Sequence, residues 1–262
     1  MFHRLFFVFS WLVLFALAFS AAEPEALKRD LPRLKPTEPA DALATFTVKS
    51  GFRIELSAAE PFVTDPVAMA FDENSRLFVV EMIGYSEHRD DRLGQVRLLE
   101  DENGDGRYDR STIYAGDLAW PTAIVCHDGG VFIGATPDIL FLKDTDGDQK
   151  ADERRVIFTG IGDGVNRLNM QSLMNSFRWG HDNRIHGTAS GTPGKVRVVG
   201  KPERGTVTFR RGDFSFDPRV LDFRLESGGA QHGMDFDAAG RKFVCSNSHH
   251  IQQVMYERRY AR

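Results

Sequence analysis

Residues 66–82 read PVAMAFDENSRLFVVEM: an apolar run, a polar turn opened by Asp72, and a second apolar run. Two extended runs flanking a short turn of Asp, Asn and Ser have the form of a β-hairpin. The pattern recurs. Asp128, Asp182 and Asp237 follow at intervals of 56, 54 and 55 residues, each within the turn of a hairpin-like stretch. An apolar residue stands three positions before each anchor (Met69, Val125, Trp179, Met234), and a short extended run follows it: Leu77–Val80, Val131–Gly134, Arg184–Gly187 and Lys242–Cys245. Further strands can be read inside each unit, so the unit is a four-stranded sheet rather than a helical pair. The chain is therefore read as all-β, a β-propeller. Asp-bearing turns are common in any β protein, and coincidence is the competing reading; three matching intervals with matching flanks favour the repeat.

The composition agrees. Of 262 residues 42% are hydrophobic, and 21 Phe with 24 Gly suit aromatic-faced strands joined by tight turns. A formal charge of −4, without a basic tract, argues against a nucleic-acid partner. Residues 1–22 carry His3 and Arg4, the uncharged run Leu5–Phe19, and small residues before Glu23, which is the form of a secretory signal peptide. The expected location is periplasm or cell envelope, with membrane attachment only through an uncleaved signal. Cys126 and Cys245 fall in different units and on opposite sides of their anchors, so they are expected to remain thiols. Neither belongs to a Cys-x-x-Cys-His sequence, so the chain has no haem motif.

Residues 23–43, with Pro24, Pro32, Pro36 and Pro39 among charges, read as a leader or linker. The partial propeller is placed at 44–262. Thr45–Val48 and Phe52–Leu56 are strand-like, and units are expected at about 66–116, 120–160, 170–217 and 230–262. The last has a third strand around Ile251–Tyr256 and no fourth. Phe52–Leu56 could complete it and close a four-bladed ring; an open arc with exposed edges is the favoured expectation.

Two loops share a spacing of oxygen-bearing side chains: Asp101, Asn103, Asp105 and Asp109, and Asp144, Asp146, Asp148 and Asp152. Positions 1, 3, 5 and 9 of a tight loop can wrap Ca2+, with Gly permitting the bend. Gly106 holds the bend position in the first loop and Gln149 in the second, so the first is expected to bind more tightly. Flanking strands exclude an EF-hand, and a bare hairpin turn is the other reading.

The strings 66–82, 95–116, 121–160, 179–187 and 228–252 (GGAQHGMDFDAAGRKFVCSNSHHIQ) resemble the N-terminal propeller of the "membrane-bound dehydrogenase" family of planctomycetes and verrucomicrobia, itself similar to soluble quinoprotein glucose/sorbosone dehydrogenases. The resemblance implies a six-bladed propeller, here truncated to about four blades, and a sugar or alcohol oxidoreductase. It also implies a cytochrome c-like haem domain in full-length relatives. The quinoproteins bind PQQ and Ca2+ with an Arg-Asn pair on the quinone and a His base. Where these would fall, this chain reads Gly229-Ala230-Gln231-His232 and Leu168-Asn169-Met170-Gln171-Ser172, which speaks against PQQ oxidation. Ranked from the loops before and after the inner hairpins, His232, His249 and Arg167 are the catalytic candidates. Asn166, Gln171, Gln231 and Asn247 are the ligand-binding ones. His249 and His250, being adjacent in an extended run, should point to opposite faces. Two other functions are carried forward: a non-catalytic propeller that binds a carbohydrate or an envelope protein, and a Ca2+-dependent lactonase-like hydrolase.

Overall fold

The computed structural model describes residues 35–260; the expected signal peptide at 1–22 and most of the expected leader at 23–43 lie outside them. The chain divides into two compact units, Met1–Ile54 and Glu55–Arg262. In the first, Pro39–Ala42 form a single α-helical turn, α1, and Leu43–Thr45 continue it as a 3-10 turn. Pro39 opens the helix, where its missing N–H costs nothing and its fixed φ is already helical. No strand forms at Thr45–Val48 or Phe52–Leu56: Thr45 ends the 3-10 turn, and residues 46–56 hold a turn at Ser50-Gly51 and no strand or helix.

The second unit is built from antiparallel sheets. Sheet I is the meander β1 (Pro66–Phe71), β2 (Leu77–Glu81), β3 (Gly94–Glu100) and β4 (Arg110–Leu118). Sheet II begins as β5 (Ala123–His127), β6 (Gly130–Ala135), β7 (Asp138–Lys143) and β8 (Glu153–Ile161). Sheet III pairs β9 (Asn175–Trp179), β10 (Ile185–Thr188), β13 (Asp213–Asp217) and β14 (Asp222–Glu226), and sheet IV pairs β15 (Gly233–Phe236), β16 (Lys242–Cys245) and β17 (Gln252–Gln253). First strands pack in succession, β1 on β5, β5 on β9 and β9 on β15, so the sheets are arranged as propeller blades around an inner row.

Two boundaries differ from those read in the sequence. The third blade runs to Glu226, not to 217, because the hairpin β11 (Gly194–Val198) and β12 (Thr206–Phe209) leaves it between its second and third strands. That hairpin pairs with β8, extending sheet II to six strands in the order β12-β11-β8-β7-β6-β5. Val196, Val198 and Phe209 on its inner face join the core between sheets II and III. In the fourth blade the expected strand at 251–256 shrinks to Gln252–Gln253.

The Asp anchors all lie in turns between first and second strands, but not at one turn position. Asp72 and Asp237 coincide: each N–H bonds the carbonyl of the residue four on, Arg76 or Arg241, at 3.1 and 3.0 Å, and each carboxylate takes that residue's N–H and guanidinium. In sheet III this closing pair is Gly180 and Arg184, so Asp182 stands two positions further on, where it accepts from the Arg184 N–H. In sheet II His127 pairs with Gly130 and leaves a two-residue turn, Asp128-Gly129. The near-equal spacing thus mixes different turn lengths.

Three seams join the sheets. Between I and II, Ala68, Ala70, Phe78, Val80, Val96 and Leu98 meet Ile124, Val131, Ile133, Leu140 and Leu142. Between II and III the seam is aromatic, with Phe216 fully buried at 5.2 Å from both Phe132 and Phe158 and 6.0 Å from Phe177, centroid to centroid. Burying one such ring stabilises by about 1.5–3 kcal/mol. The third seam, between III and IV, is different in kind. Its buried apolar residues are Ala230, Met234 and Val244, with Val254 against them and Phe236 on His186, and the side chains that sheet III buries there are polar.

Candidate functional site

A meander of this topology places its β2–β3 and β4–β5 type connections at one end and its β1–β2 and β3–β4 type turns at the other. The first end therefore gathers loops 82–93, 119–122, 162–174, 189–193, 227–232 and 246–251. Hydrogen bonds tie these loops together: Arg89 Nη2 to the Thr136 carbonyl at 2.8 Å, Trp120 Nε1 to the Gly84 carbonyl at 3.3 Å, and Asn175 Nδ2 to the Gln231 carbonyl at 2.8 Å. The acidic loops lie at the opposite end.

The third seam opens onto this end, and its chemistry follows from the residues that sheet III turns toward sheet IV. β9 and β10 present Arg178, His186 and Thr188, and β13 presents Asp213 and Ser215, where sheets I and II have aliphatic and aromatic side chains. Asp213, fully buried, holds Lys242 Nζ of β16 at 2.6 Å. Its Oδ1 also accepts the Ala230 N–H at 3.1 Å, and Lys242 Nζ donates to the Ser227 carbonyl at 3.0 Å. Thr188 Oγ1 donates to the Ala230 carbonyl at 2.8 Å. The 227–230 loop passes so close to Asp213 that a Cβ on Gly228, whose φ is +137°, would sit 1.9 Å from Oδ2. Only glycine fits that approach. His186 packs edge-on to Phe236 at 5.0 Å and bonds Asp182 at 3.1 Å. Burial pushes its pKa down, against the raising influence of Asp182 and Glu226 and with the help of Lys242.

Above this seam runs a groove of about 980 Å3, bordered by Ser172, Ser190, Glu226, Gln231, Ser246 and His249. Arg211, Tyr256 and Arg258 form its outer wall. Tyr256 is exposed, and neither arginine has a carboxylate partner among the described residues. A second cavity, about 520 Å3, lies along the inner row and is lined by Val67, Met69, Asn175, Arg178, His232 and His250.

The structure therefore separates the candidates read from sequence. Gln231 and His249 share the groove, whereas His232 and His250 line the inner cavity; the adjacent histidines do point apart. The Asn247 N–H bonds Gln231 Oε1 at 3.2 Å, so Asn247 holds the groove's glutamine. Asn166, Arg167 and Gln171 are exposed on loop 162–174 and border neither cavity. Arg167 instead lies near Glu87, whose carboxyl is held below its usual range chiefly by the Ser86 hydroxyl and only weakly by Arg167. Sequence reading missed Asp213, Lys242, Thr188 and Arg211. No local signal marks them, since the partners are far apart in the chain. The thiols are free, as expected, and burial pushes Cys126 up to about 12.

The quinone does not fit. Ala230, at the position of the clamp asparagine in the quinoproteins, is buried with its N–H and carbonyl committed to Asp213 and Thr188. Ca2+ fits one loop: oxygens of Asp144, Asp146 and Asp152 all lie within 4.8 Å of one another, the span that ligands 2.3–2.6 Å from one ion subtend. Asp101, Asp105 and Asp109 form no such group among the described residues, although Asp101 and Asp144 accept equivalent backbone bonds, from Gly104 and Gly106 at 2.7 and 2.8 Å and from Gly147 and Gln149 at 2.7 and 2.9 Å. Gln149 takes the bend that glycine makes in the first loop, φ +70° against +88° at Gly106. Its amide reaches across the first seam to Glu100 at 2.9 Å and Thr112 at 3.2 Å.

The chain belongs to the family described as a domain of unknown function (DUF7133), which it matches over residues 38–262. No curated protein matches it. Among solved structures it is similar to the periplasmic gluconolactonase of Pseudomonas aeruginosa, with 13% identity over 74% of this chain and 72% of that one and a TM-score of 0.41. A protein from Lactobacillus plantarum is similar at 11% identity over 72% of this chain and 70% of that one, TM-score 0.38. The extracellular domain of a one-component system from B. thetaiotaomicron is similar at 10% identity over 73% of this chain, TM-score 0.38, and there the likeness spans 24% of the other chain. Among the described residues no helix is long and apolar enough to cross a membrane.

Proposed function

We propose that this chain is an exported binding propeller that takes an acidic carbohydrate in the groove above the third seam. The observation that carries it is the make-up of that groove: neutral hydrogen-bonding side chains from Ser172, Ser190, Gln231 and Ser246, one carboxylate, Glu226, that accepts from Ser215 Oγ at 2.6 Å, and two guanidinium groups, Arg211 and Arg258, without carboxylate partners among the described residues. Serine and glutamine side chains can donate to and accept from hydroxyls in the same site. A guanidinium fork suits a sugar carboxylate, and an exposed ring such as Tyr256 offers a face for a pyranose. Calorimetric titration with oligogalacturonate, against a neutral oligosaccharide of the same length, tests the proposal. Binding of the acidic ligand that Arg211→Ala and Arg258→Ala each weaken about tenfold supports it; equal binding of the neutral ligand, or none of either, overturns it.

The oxidoreductase reading rests on the dehydrogenase-family resemblance and meets the misfit at Ala230. Reduction of a dye by the chain with PQQ, Ca2+ and a sugar panel would restore it. Ca2+ in the Asp144 loop belongs to the binding proposal as a structural ion, because it would stiffen the hairpin that Gln149 ties to sheet I. Asp148 faces no such convergence, so Asp146→Ala should abolish a calorimetric Ca2+ signal that Asp105→Ala leaves in place. The reverse order would return the site to the first loop.

A further inference from the structure

The aromatic seam between sheets II and III opens, at the end away from the groove, into a cavity of about 450 Å3, a size that suits a small molecule. Its floor belongs to the seam itself. Phe132 of β6, Phe141 of β7 and Ile157 of β8 are buried beneath it, and Leu221 of the β13–β14 turn borders it from sheet III. The His127 ring stacks on Phe132 at 5.8 Å with 30° between the planes, and so adds a flat wall. Burial pushes the His127 pKa down, which keeps that wall neutral at neutral pH.

The rim is basic. Arg155 of β8, Arg219 of the β13–β14 turn and Lys201 of the β11–β12 turn border the same space. The Arg155 guanidinium lies over the Phe141 ring, 5.3 Å from its centroid. Arg219 is fixed by Asp217, which accepts its N–H at 2.9 Å and its guanidinium at 3.0 and 2.7 Å. Lys201 is carried there by the hairpin that leaves sheet III for sheet II, and its N–H bonds the Val198 carbonyl at the end of β11 at 3.3 Å.

The charges on this rim do not cancel. Arg155 pairs with Glu153 at 2.5 Å, Arg219 with Asp217 at 2.7 Å, and Asp128, which also borders the cavity, with Lys143 at 3.5 Å. Lys201 has no carboxylate partner among the described residues. A flat aromatic floor under a rim with one cation to spare selects a ligand with a planar ring and a single negative charge.

We infer that this cavity binds a small aromatic carboxylate, its ring on the Phe132 and Phe141 floor beside His127 and its carboxylate at Lys201 and Arg219. The site is separate from the groove above the third seam and independent of the carbohydrate reading. It shares no residue with that groove and takes its unpaired cation from the inserted hairpin.

Calorimetric titration of the full chain with cinnamate tests it, against cinnamamide, which keeps the ring without the charge, and acetate, which keeps the charge without the ring. Cinnamate should bind about tenfold or more tightly than either. Lys201→Met keeps an apolar stem and removes the ammonium, so it should weaken cinnamate about tenfold and leave cinnamamide unchanged. Lys201→Glu should abolish cinnamate binding, and His127→Ala should weaken cinnamate and cinnamamide alike. Lys201 is exposed, so its variants should melt as the wild type does. A wild type that does not bind cinnamate overturns the inference. So does acetate bound as tightly as cinnamate, which means a bare anion site, or cinnamamide bound as tightly, which means an apolar cleft. Cinnamate affinity that Lys201→Glu or His127→Ala leaves intact also overturns it, because the ligand then sits elsewhere.

Discussion

The seam between sheets II and III and the seam between III and IV use opposite faces of one sheet, and they are chemically unalike. On one face of sheet III, Phe177, Phe214, Phe216 and Phe223 pack into an aromatic core. On the other, Thr188, Asp213 and His186 are buried among polar partners. Alternation along β10 and β13 makes this possible, because successive side chains point to opposite faces. The aromatic face gains stability simply from area removed from water. The polar face gains little net, since desolvating Asp213 and Lys242 offsets most of their attraction. A sheet that keeps buried polar groups on one side only, directly under a groove, has given up packing where a ligand is proposed to sit.

The largest effect should come from the aromatic seam. Phe216→Ala removes a ring packed on both sheets and is expected to cost about 3–5 kcal/mol in denaturant unfolding. A loss below about 1 kcal/mol would mean that the seam relaxes freely and that the contrast is overstated.

Breaking the ion pair should cost as much in one form and little in another. Asp213→Ala alone strands a buried ammonium and is expected to cost about 3–5 kcal/mol, whereas Asp213→Leu with Lys242→Met should cost only about 1–3 kcal/mol. If the double variant is as damaging as the single, the pair contributes net stability and the third seam is as strong as the second. The residual loss in that double variant comes from the Ala230 N–H, which loses its acceptor.

A smaller effect concerns pH. The His186 pKa is depressed by burial, so the unfolded chain takes up a proton before the folded one does. Stability from this group is intact above the unfolded value of about 6.5 and falls as pH drops below it. Amide exchange in β15 and β16 should therefore speed up between pH 7 and pH 5 relative to β6, and His186→Gln should remove that difference. His127, whose pKa burial also lowers, lies against Phe132 and Trp179 rather than in the third seam, so its titration should not distinguish β15 from β6 in this way.

Much of the fold was legible because hairpins announce themselves locally. Asp72 and Asp237, with an apolar run on each side, mark strand, turn and strand within a dozen residues. The β11–β12 hairpin was not legible as a part of sheet II. Its alternation in Val196, Val198 and Val207 specifies a strand with one buried face, but not whose edge it joins, and the β8 edge that receives it is set by tertiary placement. Asp182 misled for a related reason: an Asp in a turn satisfies N–H groups at several turn positions, so spacing alone cannot fix the register. His249 and His250 border different cavities from within the loop after β16, so the strand alternation that suggested their divergence is not its cause, and Gln231 reaches the groove from its place before a hairpin. Asp213 and Lys242 stand 29 residues apart with nothing in either neighbourhood to indicate a pair.

The grading of the seams is tested most directly by strand-resolved hydrogen exchange on the unmodified chain at neutral pH. β15 and β16 should exchange through an opening well below the global unfolding free energy, while β6, β10 and β13 exchange only with the whole sheet stack. Equal protection of β16 and β13 would contradict the account, because it would show that the polar seam holds sheet IV as firmly as the phenylalanines hold sheet III.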